Sequence, residues 1–252
     1  MLRVPVLTDP QIGAHKRDGF VVLRAAFDAA EMRRIEGMAA EAAAMPEEPG
    51  RHWVFHERSR LDSRQDLISR IEYLAPFHAG FAELCEALKP SAAQLLGEPA
   101  VLFKEKINFK MAGGDGFKPH QDSQAGWETY ASIFVTVALT IDEATAANGC
   151  LRIVAGHHKR GLFRAWEPLT DEDMAGMRFV DCPTRPGDLV FIDSYAPHAS
   201  EPNLSDGLRR LYFATYNRLS EGDHMARYYA DKRKNYPPDI EREPGRQYVF
   251  RV

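Results

Sequence analysis

Two residues near the middle of the chain, His120 and Asp122, have the types and the spacing of a metal site. Residues two apart in an extended segment point to the same side, so an imidazole and a carboxylate can reach one ion. The best candidate for a third ligand is His198, since it follows a predicted strand over Leu189–Asp193 and a turn at Pro197. Two imidazoles and one carboxylate on one face of an octahedron leave three open positions, an arrangement typical of non-haem iron(II) sites.

An arginine downstream of His198 strengthens this interpretation. Arg209 begins a predicted strand, Arg209–Asn217, on a mostly apolar face. The residues that share its face are Leu211, Phe213, Thr215 and Asn217. A buried guanidinium needs an anion, and its fork matches a carboxylate in a bidentate manner. Two partners remain open, a carboxylate of the protein or that of a bound molecule, whereas Arg210 should face the other way.

The elements that must position these side chains change character near Pro99. Before it the sequence predicts mostly helices, and after it mostly strands, the clearest of which alternates in hydrophobicity from Tyr130 to Ile141. Helices followed by strands favour a mainly β protein with flanking α-helices and a sandwich or barrel core. We expect one domain over 1–252, with a helical layer over about 1–98, the β core over about 99–220, and a helical tail.

Composition excludes several classes of protein. The net charge of -4 gives no basic footprint for nucleic acid. Three cysteines without a CxxC pair argue against a disulfide framework and a thiolate zinc site. The sequence shows neither a signal peptide nor a long apolar stretch that could span a membrane. We therefore expect a soluble, cytoplasmic protein; the sequence does not indicate an oligomeric state.

Several motifs occur together in the order and spacing of one enzyme family. They are His120-Gln121-Asp122, Asn148-Gly149-Cys150-Leu151, Gly156-His157-His158-Lys159, Pro186-Gly187-Asp188-Leu189, His198 and Arg209, preceded by Asp18-Gly19-Phe20. With them, most of the chain resembles the phytanoyl-CoA dioxygenase family. The resemblance implies a double-stranded β-helix (jelly-roll, cupin-like) core and an enzyme that uses Fe(II), 2-oxoglutarate and O2. By motif position His120, Asp122 and His198 are the expected ligands, and Arg209 is expected to bind the distal carboxylate of 2-oxoglutarate.

Retention of Asp122 favours hydroxylation over halogenation, because halogenating relatives replace this carboxylate with a small residue. Other polar residues near the motifs are secondary candidates. Lys104 and Thr136 are predicted to contact the cosubstrate. The predicted substrate-binding residues are Lys106, Asn108, Lys118 and Asn217.

The basic and amide residues near the motifs indicate a small anionic or zwitterionic substrate. The run Tyr228-Tyr229-Ala230-Asp231-Lys232-Arg233 is similar to the bacterial branch that hydroxylates 2-aminoethylphosphonate next to phosphorus. The alternatives are a hydroxylase of a free amino acid or natural-product intermediate, a non-catalytic cupin-like binding module, and a zinc hydrolase with the same ligands.

Overall fold

In the computed structural model, which describes residues 2–249, the named strands form two antiparallel sheets, one of seven strands and one of four. The strands are β1 (Phe20–Leu23), β2 (Trp53–Arg58), β3 (Asp66–Glu72), β4 (Ala100–Lys110), β5 (Phe117–His120), β6 (Phe134–Thr140), β7 (Leu151–Ile153), β8 (Val180–Cys182), β9 (Leu189–Asp193), β10 (His198–Ser200) and β11 (Arg209–Arg218). The helices are α1 (Asp9–Asp18), α2 (Ala29–Ala44), α3 (Ala79–Leu96) and α4 (Met225–Asn235). The larger sheet has the order β1-β9-β6-β11-β4-β3-β2, and the smaller β5-β10-β7-β8.

Alternation along β6 separates the two layers of the core. Val135, Val137 and Leu139 pack with α2 and α3 in one apolar cluster. Ala138, on the opposite face, packs with residues of β7, β8, β9 and β11 between the two sheets. Period-two side-chain direction explains why one strand supplies both layers. Two facing sheets with helices outside them confirm the predicted jelly-roll architecture.

Helix α2 shows how local sequence sets an element boundary. The Asp28 side chain accepts hydrogen bonds from Ala30 N and Glu31 N. The Glu31 side chain in turn accepts a hydrogen bond from Asp28 N at 3.0 Å. This reciprocal arrangement satisfies N–H groups that have no partner inside the helix. The cap fixes the start of a helix whose apolar side covers the larger sheet.

The sequence analysis missed a β-hairpin in the predicted helical layer of about 1–98. Strands β2 and β3 pair with each other, and β3 continues the larger sheet by pairing with β4. Charged residues at buried positions, Arg70 and Glu72, hid the alternation of β3. Strands β5 and β10 were missed because they span only four and three residues.

The long alternating segment is shorter than predicted. Strand β6 begins at Phe134, because a 3-10 turn over Trp127–Thr129 precedes it. Cys85, Cys150 and Cys182 are free and buried. No helix within residues 2–249 combines the length and hydrophobicity that a membrane crossing requires.

Candidate metal centre

The register of β5 against β10 brings His120 and His198 side by side. The two residues are direct partners in the antiparallel ladder, and their ring centroids lie 4.3 Å apart. Gln121 is extended, so Asp122 returns to the side of His120. One ligand atom from each of His120, Asp122 and His198 lies within 4.8 Å of the others. Among the described residues, this is the only group of at least three histidine, cysteine or acidic side chains with that geometry.

Backbone carbonyls fix the orientation of both imidazoles. Nδ1 of His120 lies 2.7 Å from Lys118 O, and Nδ1 of His198 lies 3.0 Å from Ala196 O. A carbonyl oxygen can only accept, so each Nδ1 is the protonated nitrogen and each Nε2 keeps its lone pair. Burial, together with His198, lowers the pKa of His120 to about 3. The ring is therefore neutral at physiological pH, as metal binding requires.

The carboxylate of Asp122 is oriented by a threonine from β6. Thr136 Oγ1 donates to Asp122 Oδ2 at 2.9 Å, and Thr215 Oγ1 lies 3.0 Å from Thr136 Oγ1. Burial would raise the pKa of Asp122, but His198 and His120 hold it below its usual value. Thr136 was predicted to contact the cosubstrate, yet its hydroxyl hydrogen is directed to Asp122. We therefore infer that it positions the carboxylate.

Replacing Thr136 with valine should weaken iron(II) binding by about 10-fold or more, because partners outside the ligand set typically contribute 10–100-fold to affinity or activity. An anaerobic iron(II) titration measures the change. Thr140→Val is a matched control, since Thr140 lies on the same face of β6 and donates to Thr184 at 2.7 Å. Equal iron affinities in the two variants would show that the bond to Asp122 is not needed for positioning.

The guanidinium of Arg209 is buried without an anion. The side chain is 2% exposed, its Nη2 donates to Gly149 O at 2.8 Å, and its Nε has no hydrogen-bond partner. No acidic side chain of residues 2–249 lies within the 4 Å of an ion pair. Burial lowers its pKa to about 10, so the group remains cationic at neutral pH. The neighbouring Arg210 faces the other way and pairs with Asp142 at 2.8 Å.

A small inner cavity of about 40 Å³ connects Arg209 with all three candidate ligands. Asn108, Thr215 and Ser200 also line it, and the buried Oδ1 of Asn108 has no hydrogen-bond partner. An unpaired guanidinium at one end and a facial ligand set at the other fit a dicarboxylate that also chelates a metal. The residues present therefore fit both iron(II) and 2-oxoglutarate.

A second, larger cavity of about 620 Å³ opens outward from the same ligands. Lys104, Lys106, His120 and Asp122 border both cavities, so the candidate metal centre lies at their boundary. Burial, with Lys104 beside it, lowers the pKa of Lys106 to about 7. The aromatic side chains of Trp127 and Tyr130 line the outer cavity.

Two of the predicted substrate-binding residues lie elsewhere. The Lys118 side chain is exposed, and neither cavity includes it; its carbonyl orients His120 instead. The Asn217 amide donates to Arg218 O and Gly222 O, both at 2.9 Å, at the far end of β11. Alternation predicted the inward face of Asn217 but not which groups its amide binds.

Sequence reasoning also missed the side chain between the two ligands of the motif. The fully buried Gln121 donates to Gly161 O at 2.8 Å and Tyr195 O at 2.7 Å, and accepts from Phe163 N at 2.8 Å. These bonds tie the segment of His120 to two loops and hold it in place. The only sequence signal was the presence of Gln121 inside the His-x-Asp motif.

The phytanoyl-CoA dioxygenase family model matches residues 15–211. This chain belongs to the phytanoyl-CoA dioxygenase family. It is 37% identical over 246 residues to a 2-aminoethylphosphonate dioxygenase of an uncultured bacterium (HF130_AEPn_1), covering 96% of this chain and 93% of that one. It is also 37% identical over 235 residues to a methylphosphonate hydroxylase of Gimesia maris, covering 91% and 88%.

Solved structures agree with the fold. A crystal structure of EctD from S. alaskensis with 2-oxoglutarate and 5-hydroxyectoine superimposes with a TM-score of 0.74 at 23% identity, covering 85% of this chain and 77% of that one. Family membership confirms the predicted enzyme class, a 2-oxoglutarate-dependent dioxygenase with iron as its metal. The individual roles of the site residues remain predictions.

Proposed function

We propose that this phytanoyl-CoA dioxygenase family member hydroxylates the carbon next to phosphorus in a small phosphonate. The observation that carries the proposal is a single continuous site: an unpaired buried guanidinium, a His-Asp-His cluster and two lysines border connected cavities. His120, Asp122 and His198 would hold iron(II), and Arg209 would bind the far carboxylate of 2-oxoglutarate. Bound iron(II), with 2-oxoglutarate and O2, supplies the oxidising power that inserts an oxygen atom into a C–H bond.

The chain's own residues bind and orient the reactants. Arg209 would hold the cosubstrate in the inner cavity, and the substrate would bind in the outer cavity. Thr136 donates to Oδ2 of Asp122, which leaves the other carboxylate oxygen available to bind a metal ion. Trp127 is 2% exposed and borders both cavities, which keeps water away from the reacting carbon.

Two relatives that each cover nearly the whole chain are named for phosphonates, and this supports the substrate class. 2-Aminoethylphosphonate is the first candidate, and methylphosphonate the second. A free amino acid or natural-product intermediate is the alternative. The lysines at the boundary of the cavities favour an anion in either case. Three buried, free cysteines support a reducing, cytoplasmic location. We also propose that residues 1–252 form one domain.

Incubation with iron(II), 2-oxoglutarate and air should convert 2-aminoethylphosphonate or methylphosphonate to a product with one additional oxygen, with succinate formed in equal amount. Product mass and succinate are measured for both phosphonates and for a panel of free amino acids. Zinc in place of iron(II) should give no product, which separates oxygenation from hydrolysis. Oxygen insertion into amino acids only, with no phosphonate converted, would reject the proposed substrate class.

A further inference from the structure

Three charged side chains outside the metal ligands, Glu72, Lys104 and Lys232, line the outer cavity, and Arg70 contacts Glu72. We call these four residues the Glu72 cluster. Glu72 is 1% exposed, and its two oxygens contact Arg70 Nε at 2.8 Å and Lys232 Nζ at 2.5 Å. Lys104 Nζ donates to Tyr228 Oη at 3.3 Å. Strand β3, strand β4 and helix α4 thus meet at this cluster.

Basic groups of the outer cavity are buried near Glu72. Lys104, Lys106 and Lys232 line the cavity together with the carboxylates of Glu72 and Asp122, and burial lowers the pKa of all three lysines. Burial would raise the pKa of Glu72, but Lys232 and Arg70 hold it well below its usual range, so the carboxyl is ionised. A buried ammonium is costly unless an anion compensates it, so an anionic ligand beside these lysines would favour their protonated form.

The lysines of the cluster have donors left for such a ligand. An ammonium has three N–H donors, and the bonds above use one on Lys104 and one on Lys232. Both side chains line the outer cavity, and Lys104 also borders the metal ligands. Lys104 Nζ lies 5.4 Å and Lys232 Nζ 5.8 Å from the centre of the Tyr228 ring, so both amines adjoin the same side chain of the cavity wall. One anion bound beside Tyr228 could contact both.

Charged groups at the rim of the cavity have partners of their own. Asp231 has its own partners, because it accepts from Tyr130 at 3.0 Å and Lys234 at 3.1 Å. Arg246 lies 3.5 Å from Glu243. These rim groups are thus occupied by one another, and the buried lysines are left to interact with a ligand where charges act most strongly.

We propose that Lys104 and Lys232, positioned by Glu72 and Tyr228, form a subsite that binds the phosphonate group as a dianion. The inference rests on the proposed function and extends it: the subsite selects phosphonates over sulfonates of the same shape, which carry one negative charge less. Helix α4 and the hairpin β2–β3 then determine specificity, while the jelly-roll core carries the metal centre.

Calorimetric titration of the metal-free protein tests the subsite without turnover. The probes are two isosteric pairs, methylphosphonate with methanesulfonate and 2-aminoethylphosphonate with 2-aminoethanesulfonate, at a pH where the phosphonates are dianions. We expect each phosphonate to bind about 10-fold or more tightly than its sulfonate. Lys232→Met should weaken phosphonate binding by about 10–100-fold, the range for a lost hydrogen bond to a charged group. Lys232→Arg should retain most of the affinity.

The matched control is Lys234→Met on the same helix, whose side chain is 74% exposed. In the iron-loaded enzyme, Lys232→Met should raise KM for the phosphonate and leave KM for 2-oxoglutarate unchanged. If Lys232→Met fails to fold, the double variant Glu72→Gln with Lys232→Met removes both charges of the pair and should show the same loss.

The outcomes separate the two proposals. Conversion of a phosphonate by wild type, with Lys232→Met indistinguishable from Lys234→Met, would overturn the subsite and leave the function intact. Equal affinity for phosphonate and sulfonate would do the same. Turnover of amino acids alone, with no phosphonate bound or converted, would reject the function itself.

Discussion

His198→Ala should lose iron(II) binding, and turnover should fall by more than the roughly 10–100-fold that follows loss of a partner outside the ligand set. The variant removes one of two imidazoles and leaves a two-ligand site of His120 and Asp122, which are two positions apart in the sequence. Strand β10 holds His198 opposite His120, and no other histidine of residues 2–249 belongs to this group of candidate ligands. An anaerobic iron(II) titration and succinate formation under air measure the two effects.

The control for this variant is His157→Ala. His157 belongs to the same family of motifs and its Nδ1 lies 3.2 Å from a backbone oxygen, Ala155 O, but it lines neither cavity. We expect wild-type iron affinity for it. Wild-type affinity in His198→Ala as well would mean that the third ligand has been assigned to the wrong residue.

The metal centre could be predicted from the sequence because the arrangement of its ligands is largely local. Two ligands lie two residues apart in extended chain, and the third follows a strand with an unbroken apolar run. Strand alternation also placed Arg209 inward and Arg210 outward, and the structure shows both directions. Period-two reasoning is reliable where a strand is long and one of its faces is buried.

The outer cavity could not be predicted from sequence in this way, because the hydrophobicity patterns of the elements that line it do not reveal which of their residues are buried. Arg70 and Glu72 occupy buried positions of β3, where polarity normally indicates an exposed face. They are buried because Glu72 pairs with Arg70 and also with Lys232, a residue 160 positions away in the sequence. Only the folded chain shows that pairing.

The hydrogen-bond partners of inward-facing polar side chains could not be predicted from the sequence either. Alternation predicted that Thr136 and Asn217 point inward, but a hydroxyl or amide can bind a ligand, a side chain or the backbone. The structure assigns Thr136 to Asp122 and Asn217 to two carbonyls. Lys118 is exposed although it lies two residues from His120, because β5 is irregular where it pairs with β10: Phe117 and His120 are three residues apart, but their partners Ser200 and His198 are only two apart.

Arg209→Lys should raise KM for 2-oxoglutarate by about 10–100-fold, corresponding to roughly 1.5–3 kcal/mol for lost charged hydrogen bonds. Lysine keeps the positive charge, but its compact ammonium group cannot bind a carboxylate in the bidentate manner of the planar guanidinium. KM for the substrate and the affinity for iron(II) should change little, since Arg209 lies at the end of the inner cavity remote from the outer one. Initial rates at varied 2-oxoglutarate, with saturating substrate, provide the measurement.

Arg210→Lys is a matched control that separates a ligand-binding fork from a structural one. Arg210 makes two bonds to Asp142, at 2.8 and 2.9 Å, on the opposite face of the same strand. The same substitution there should lower the melting temperature and leave KM for 2-oxoglutarate unchanged. Because Arg209 lacks a protein carboxylate among the described residues, its fork has no comparable structural task. An unchanged KM for 2-oxoglutarate in Arg209→Lys would therefore require another anion for the buried guanidinium, and the inner cavity would lose its assignment as the cosubstrate site.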